Sequence, residues 1–201
     1  MCACQHTTVV ASVVIVCGRR MPLIFIICIT NNSVVKNMTL TSTQIGALAE
    51  NLVANELMIE SSGRLSSFQP IADDDGIDVL IYDKVTANAV PIQIKARTNT
   101  INKAGKKERS NTVHFEVRKA TLKEDRRALL LCVLLDESLR KTERAWLMKL
   151  TALPLITSNR NDKYVIRANR QISSKDKYQQ FQCSDMAEVS RRLVEHLESG
   201  T

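Results

Sequence analysis

Eight apolar residues in a row, Ala128 to Leu135 (ALLLCVLL), stand between Arg127 and Asp136. The run has strand length, and unbroken apolarity is the mark of a strand covered on both faces. The rest of the chain is read for what can surround it. Helical spacing runs through TSTQIGALAENLVANELMIESSG, with Ile45, Leu48, Ala49, Leu52, Val53 and Leu57 as the apolar positions. Thr41 or Ser42 can cap that helix, and Gly63 follows its end. RLSSFQPIA reads as a weak strand. GIDVLIYD and AVPIQIKART read as strands joined by a turn around Thr86-Ala87-Asn88. TVHFEVRK alternates as a strand does, and TLKEDRR suits a helical turn. RAWLMK and KYVIRA are further strands with LTALPLI between them, and SDMAEVSRRLVEHLES is an amphipathic C-terminal helix. The order predicts an α/β (α+β) domain, a central mixed β-sheet flanked by helices.

A chain of 201 residues suits one domain and can bury a core without disulfides. The net charge of +7 is compatible with a nucleic-acid or anionic partner without proving one. Residues 1–37 differ from the remainder. They contain no Asp or Glu and hold Cys2, Cys4, Cys17 and Cys28. Their two apolar runs are each too short for a membrane span of about 20 residues, and Arg19-Arg20 separates them. No basic stretch precedes the first run, as a signal peptide requires. The favoured reading is a non-core extension translated from a start codon chosen too early, with Met38 as the true start and 38–201 as the folded domain. A weak anchor and an extra element are the alternatives. Cys132 and Cys183 have no metal-ligand spacing, and a reducing cytoplasm is the expected compartment.

The hairpin from Gly76 to Arg97 (GIDVLIYDKVTANAVPIQIKAR) carries polar residues at few positions. Alternation puts Gln93, Lys95 and Arg97 on one strand face. A turn centred near Thr86-Ala87 sets Asp78 opposite Lys95 and Leu80 opposite Gln93, roughly 5 Å apart at Cβ. An acid, an amide oxygen and a lysine would then converge on one face. That suits a hard-cation site with a lysine beside it, and equally a cross-strand ion pair.

The order and spacing resemble the PD-(D/E)XK nuclease superfamily, of restriction-endonuclease-like fold, and most of all its Holliday-junction-resolvase-like branch. The resemblance runs from Thr41 to about Leu135. Glu50 in GALAENLVANEL stands for the helix acid, Asp78 in GID for the strand acid, and Gln93-Ile94-Lys95 for the (E/Q)-x-K element. Ile77 replaces the motif proline, and Gln93 stands where many members carry Glu. Glu56 competes with Glu50, since it lies nearer the middle of the apolar stripe; the family pattern favours Glu50.

The resemblance implies a metal-dependent nuclease hydrolysing phosphodiester bonds in DNA, a Mg-dependent endodeoxyribonuclease by class. Mg2+ (or Mn2+) would be held by Asp78, the Gln93 side-chain oxygen and the Ile94 carbonyl, with Glu50 in support. Lys95 would orient the attacking water. The partner would be duplex or branched DNA, met by Arg97 and the basic loop Lys103, Lys106, Lys107 and Arg109. A homodimer would cut both strands, and no stable membrane partner is expected. The alternative is a binding or assembly protein that keeps the fold and lost its chemistry at Gln93. His114 and Glu116, on the polar face of TVHFEVRK, are further candidates beside the metal.

Overall fold

The computed structural model describes residues 40–71, 76–101, 111–123 and 127–200. The extension 1–37 and the loop bearing Lys103, Lys106, Lys107 and Arg109 lie outside the described residues.

Helix α1 spans Ser42–Glu60. Thr41 caps it through a reciprocal box. Its hydroxyl accepts from the Gln44 N–H at 3.2 Å, and the Gln44 side-chain oxygen accepts from the Thr41 N–H at 2.8 Å. At the other end the chain turns through Ser62 and Gly63, both at positive φ, and the Gly63 N–H donates to the Met58 carbonyl. Ala49, Val53 and Leu57, one turn apart, form its buried edge.

Strands β1 (Leu65–Phe68), β2 (Val79–Asp83), β3 (Ala89–Arg97), β5 (Leu129–Leu135), β6 (Thr142–Lys149) and β9 (Gln182–Cys183) form one sheet in the order β1-β2-β3-β5-β6-β9. The pair β3–β5 is parallel and the other pairs are antiparallel, so the sheet is mixed. Helix α3 (Met186–Glu198) joins α1 on one face of it. Asp185 caps α3, accepting from the Glu188 N–H.

The expected mixed sheet flanked by helices is present. What covers its second face is a further sheet. Strands β4 (Thr112–Arg118), β7 (Ser158–Arg160) and β8 (Lys163–Asn169) pair antiparallel in the order β4-β8-β7. The apolar run of β5 explains both layers. Leu129, Leu131, Val133 and Leu135 pack toward the helices, while Leu130, Cys132 and Leu134 pack against Val113, Phe115, Val117, Ile166 and Ala168 of the small sheet. Every residue of β5 is buried. Phe115 meets Trp146 edge-on at 5.7 Å between ring centroids. A short helix α2 (Leu153–Ile156) links β6 to β7. A 3-10 turn, Lys119–Thr121, ends on the first residue of TLKEDRR, and residues 124–126 of that stretch lie outside the described residues. No helix among the described residues is long and apolar enough to cross a membrane.

The hairpin register differs from the expected one. Val79 faces Ile92 and Leu80 faces Pro91 rather than Gln93, and beyond the ladder the Asp78 N–H donates to the Ile92 carbonyl, so Asp78 is not set opposite Lys95. The cause is the turn. Asp83 accepts from the Val85 N–H at 3.0 Å and the Thr86 hydroxyl at 2.8 Å, and Asp83 and Asn88 close the hairpin. These bonds centre the turn one residue earlier than Thr86-Ala87, which moves the pairing by two. A two-residue shift preserves which side chains share a face.

Asp83 is fully buried and forks onto Arg64, with Nε–Oδ1 at 2.8 Å and Nη2–Oδ2 at 2.7 Å. Arg64 also donates to Glu198 of α3 at 2.8 Å. The guanidinium holds the Asp83 carboxyl far below the usual carboxylate range. Turn, strand β1 and the C-terminal helix are thereby tied together.

Candidate active site

A polar cavity of about 360 Å³ opens between β3 and the outward face of β4 and β8. Gly76, Asp78, Gln93, Lys95, Arg97, Glu116, Arg118, Thr121 and Lys163 line it. Three of these were expected together from the sequence. Lys95 Nζ lies 3.8 Å from Asp78 Oδ2, and Gln93 is buried beside them at 2 % exposure.

Asp78 sits just before the first residue of β2, where β3 would otherwise leave a backbone donor unpaired. Its own N–H donates to the Ile92 carbonyl at 3.1 Å, and its Oδ2 accepts from the Ile94 N–H at 2.5 Å. The side chain thus takes over where the ladder stops. In a strand the N–H and C=O of one residue point to the same side, so the Ile94 carbonyl is directed toward the Asp78 side as well.

Gly76 makes this approach feasible. Its φ is +70°, and a Cβ there would lie 2.7 Å from Thr121 Cγ2 and 3.0 Å from Gln93 Nε2. Thr121 donates to the Arg118 carbonyl at 2.8 Å and stands 3.5 Å from Gln93 Oε1. The hydroxyl's proton goes to the nearer acceptor, which leaves the Gln93 contact a weak one.

The opposite wall comes from the small sheet. Glu116 accepts from Lys163 Nζ at 2.8 Å and contacts His114 Nε2 at 3.2 Å. The Lys163 hydrogen bond, and after it the His114 one, draw its carboxyl down to about 2. His114 Nδ1 is buried without a partner, so the tautomer with its proton on Nε2 is the one that serves Glu116. Arg97 donates through Nε to the His114 carbonyl at 2.8 Å and so bridges β3 to β4. Among the described residues, four cationic side chains and two carboxylates line the cavity, an excess that favours an anion.

Magnesium commonly takes one or two carboxylates and fills its shell with water and substrate phosphate. The Asp78 carboxylate and the Gln93 amide oxygen are donors of that hardness, and both residues line the cavity. The donor set is compatible with such an ion. An all-protein cage is a different matter: among the described residues no group of three or more His, Cys, Asp and Glu could hold a metal.

Glu50 is half-buried on α1 and is not among the residues lining the cavity. Glu56 is accounted for elsewhere, since it accepts from the Thr142 N–H at 3.0 Å and the Thr142 hydroxyl at 2.6 Å and pins α1 to the start of β6. Lys163 and Thr121 were missed by sequence reasoning. The alternation of β4 and β8 marks their polar faces, but the pairing of Arg118 with Lys163 joins residues far apart in sequence and leaves no local signal.

No protein-family model matches the chain, and no curated protein matches it. Among solved structures, that of a bacterial homing endonuclease, I-Ssp6803I, is similar, with a TM-score of 0.54 and 12 % identity over 81 % of this chain and 97 % of the other. At that identity the likeness is one of fold: a mixed α+β domain with a central mixed sheet flanked by helices, shared with a nuclease structure.

Proposed function

We propose that this chain is a metal-dependent nuclease that hydrolyses phosphodiester bonds in DNA, with the PD-(D/E)XK type of site. The observation that carries this reading is the meeting of Asp78, Gln93 and Lys95 in one cavity ringed by Arg97, Arg118 and Lys163. The fold shared with a homing endonuclease supports it.

In this reading Asp78, the Gln93 amide oxygen and the Ile94 carbonyl would hold Mg2+ or Mn2+, which when bound would polarise the scissile phosphate and lower the pKa of a water. Lys95 hydrogen-bonds and orients the attacking water and offsets the charge that develops on the phosphate. Asp78 keeps Lys95 in place through their ion pair. Arg97, Arg118 and Lys163 bind the substrate's phosphates and set the register of the strand against the site. Glu50, on α1, would support the metal through water. Two chains acting as a homodimer would cut both strands of a duplex.

The test is nicking of supercoiled plasmid by wild type and Asp78→Asn in Mg2+ and in Mn2+, with linear, single-stranded and four-way-junction substrates alongside. Nicking that needs the ion and disappears in Asp78→Asn supports the reading.

A second reading rests on Gln93. An amide where the motif often has a carboxylate removes one negative charge from the ion's shell. A nucleic-acid-binding protein with the same fold and no chemistry would carry such a residue. In that case wild type would bind DNA and nick nothing in either ion.

A further inference from the structure

The small sheet has two unlike faces. Val113, Phe115 and Val117 of β4 and Tyr164, Ile166 and Ala168 of β8 point into the core. The outward face follows from the register. Arg118 of β4 lies opposite Lys163 of β8, and Lys163 lies opposite Arg160 of β7. Three cations therefore stand side by side across three strands, about 5 Å per step. His114 lies opposite Arg167 farther along the same face.

Like charges placed directly opposite are unfavourable in a sheet. Only Glu116, bonded to Lys163, offsets them from the strands themselves. Among the described residues no carboxylate forms an ion pair with Arg118, Arg160 or Arg167, and all three are exposed. The row continues into a second cavity of about 570 Å³, lined by Ser158, Arg160, Val165, Arg167, Asp176, Lys177 and Tyr178. Its acid, Asp176, is turned to the backbone, accepting from the Asn169 N–H at 2.6 Å and the Tyr178 N–H at 2.8 Å. The first cavity shares Arg118 and Lys163 with this face.

We propose that the outward face of β4-β8-β7, with Arg118, Lys163, Arg160, Arg167 and Lys177, is a docking track for the phosphate backbone of duplex DNA leading into the active-site cavity. This rests on the nuclease reading for its direction, because the track ends at Asp78 and Lys95. The charges match a polyanion whose phosphates are closely and regularly spaced. A duplex fits better than a single strand because, among the described residues of this face, no aromatic ring is presented for bases to stack on: Tyr164 points inward and Tyr178 is 3 % exposed.

The experiment measures binding in EDTA, where no cleavage occurs. Fluorescence anisotropy on a random-sequence duplex, a single strand of the same sequence and the matching RNA is recorded between about 50 and 200 mM salt. The variant is Arg160→Gln/Arg167→Gln/Lys177→Gln, in which no substituted residue lines the active-site cavity. Each lost phosphate contact lowers the slope of log K against log salt by about 0.9, so the slope should fall by about 3 and duplex affinity by at least about tenfold. Arg160→Lys/Arg167→Lys should retain the wild-type slope. If the triple variant melts early, the single Arg→Gln variants decide, each with a slope smaller by about 1.

A folded triple variant with the wild-type slope overturns the track. Tighter binding of the single strand or RNA overturns the duplex assignment. Wild type that binds duplex through this face but never nicks plasmid sinks the nuclease reading and leaves the track standing. Wild type that nicks while the triple variant binds and cuts as before sinks the track alone.

Discussion

Asp78 Oδ2 accepts a hydrogen bond from the Ile94 N–H and faces Lys95 Nζ at 3.8 Å. One carboxylate therefore ends a strand pair and anchors the lysine. The two roles separate by substitution. Asp78→Asn keeps an oxygen for the Ile94 N–H and removes the charge, so the fold should hold while plasmid nicking falls. The fall should exceed the roughly 10–100-fold cost of losing an outer-shell partner. Asp78→Ala removes both roles and should lower the melting temperature as well. Nicking by Asp78→Asn at the wild-type rate would place the site on the wrong residues.

Gln93 decides between the two readings of function. Gln93→Glu keeps an oxygen at the position and adds a negative charge. By ligand charge, Mg2+ should bind at least as tightly to the variant in calorimetric titration. If wild type neither binds the ion nor nicks while Gln93→Glu gains both, the binding-protein reading stands. Lys95→Ala should bind the ion and fail to nick, since a cation does not ligate a cation.

Gly76 makes a prediction about space and backbone together. Gly76→Ala puts a Cβ 2.7 Å from Thr121 Cγ2 at a φ of +70°. Backbone strain alone at such a position costs about 1–3 kcal/mol, and the methyl contact adds to it. Chemical denaturation should show the loss, and Thr121→Ser, which removes the methyl, should restore part of it. Equal stability of Gly76→Ala and wild type would refute the close approach.

Phe115 tests how the small sheet is held. It is fully buried against Trp146, on the face opposite Glu116 and Arg118. Phe115→Ala should cost about 3–5 kcal/mol of unfolding free energy. It should also weaken DNA binding, because the strand that carries Arg118 loses its anchor. A loss below about 1 kcal/mol would mean that β4 is held by other contacts.

Glu116 gives the acid side of the pH profile. Its carboxyl is held near 2 against an ordinary 4.5, by Lys163 first and His114 second. A folded-state pKa below the unfolded one contributes stability that is complete above about 4.5 and disappears as pH falls from there through about 2. Lys163→Met should raise the Glu116 titration toward 4.5, read from the carboxyl carbon by NMR. An unmoved titration would show that Lys163 is not its main partner.

The sequence by itself determined the elements and part of the site. The unbroken apolarity of β5 required cover on both sides, and capping residues marked the ends of α1. Alternation put Gln93 and Lys95 on one strand face, because side-chain direction in a strand is a local property. Tertiary structure decided what local rules cannot. The register of the hairpin depended on how the Asp83 carboxylate folds its turn, and it moved Leu80 from Gln93 to Pro91 in the ladder. The second wall of the cavity depended on β4 pairing with β8, which brings Glu116 to Lys163 across 47 residues. Glu56, apolar-faced in the helix pattern, found its partner in Thr142 across 86 residues. Such pairings are fixed by the packing of whole layers, an energy shared among many distant side chains, and no short stretch of sequence carries it.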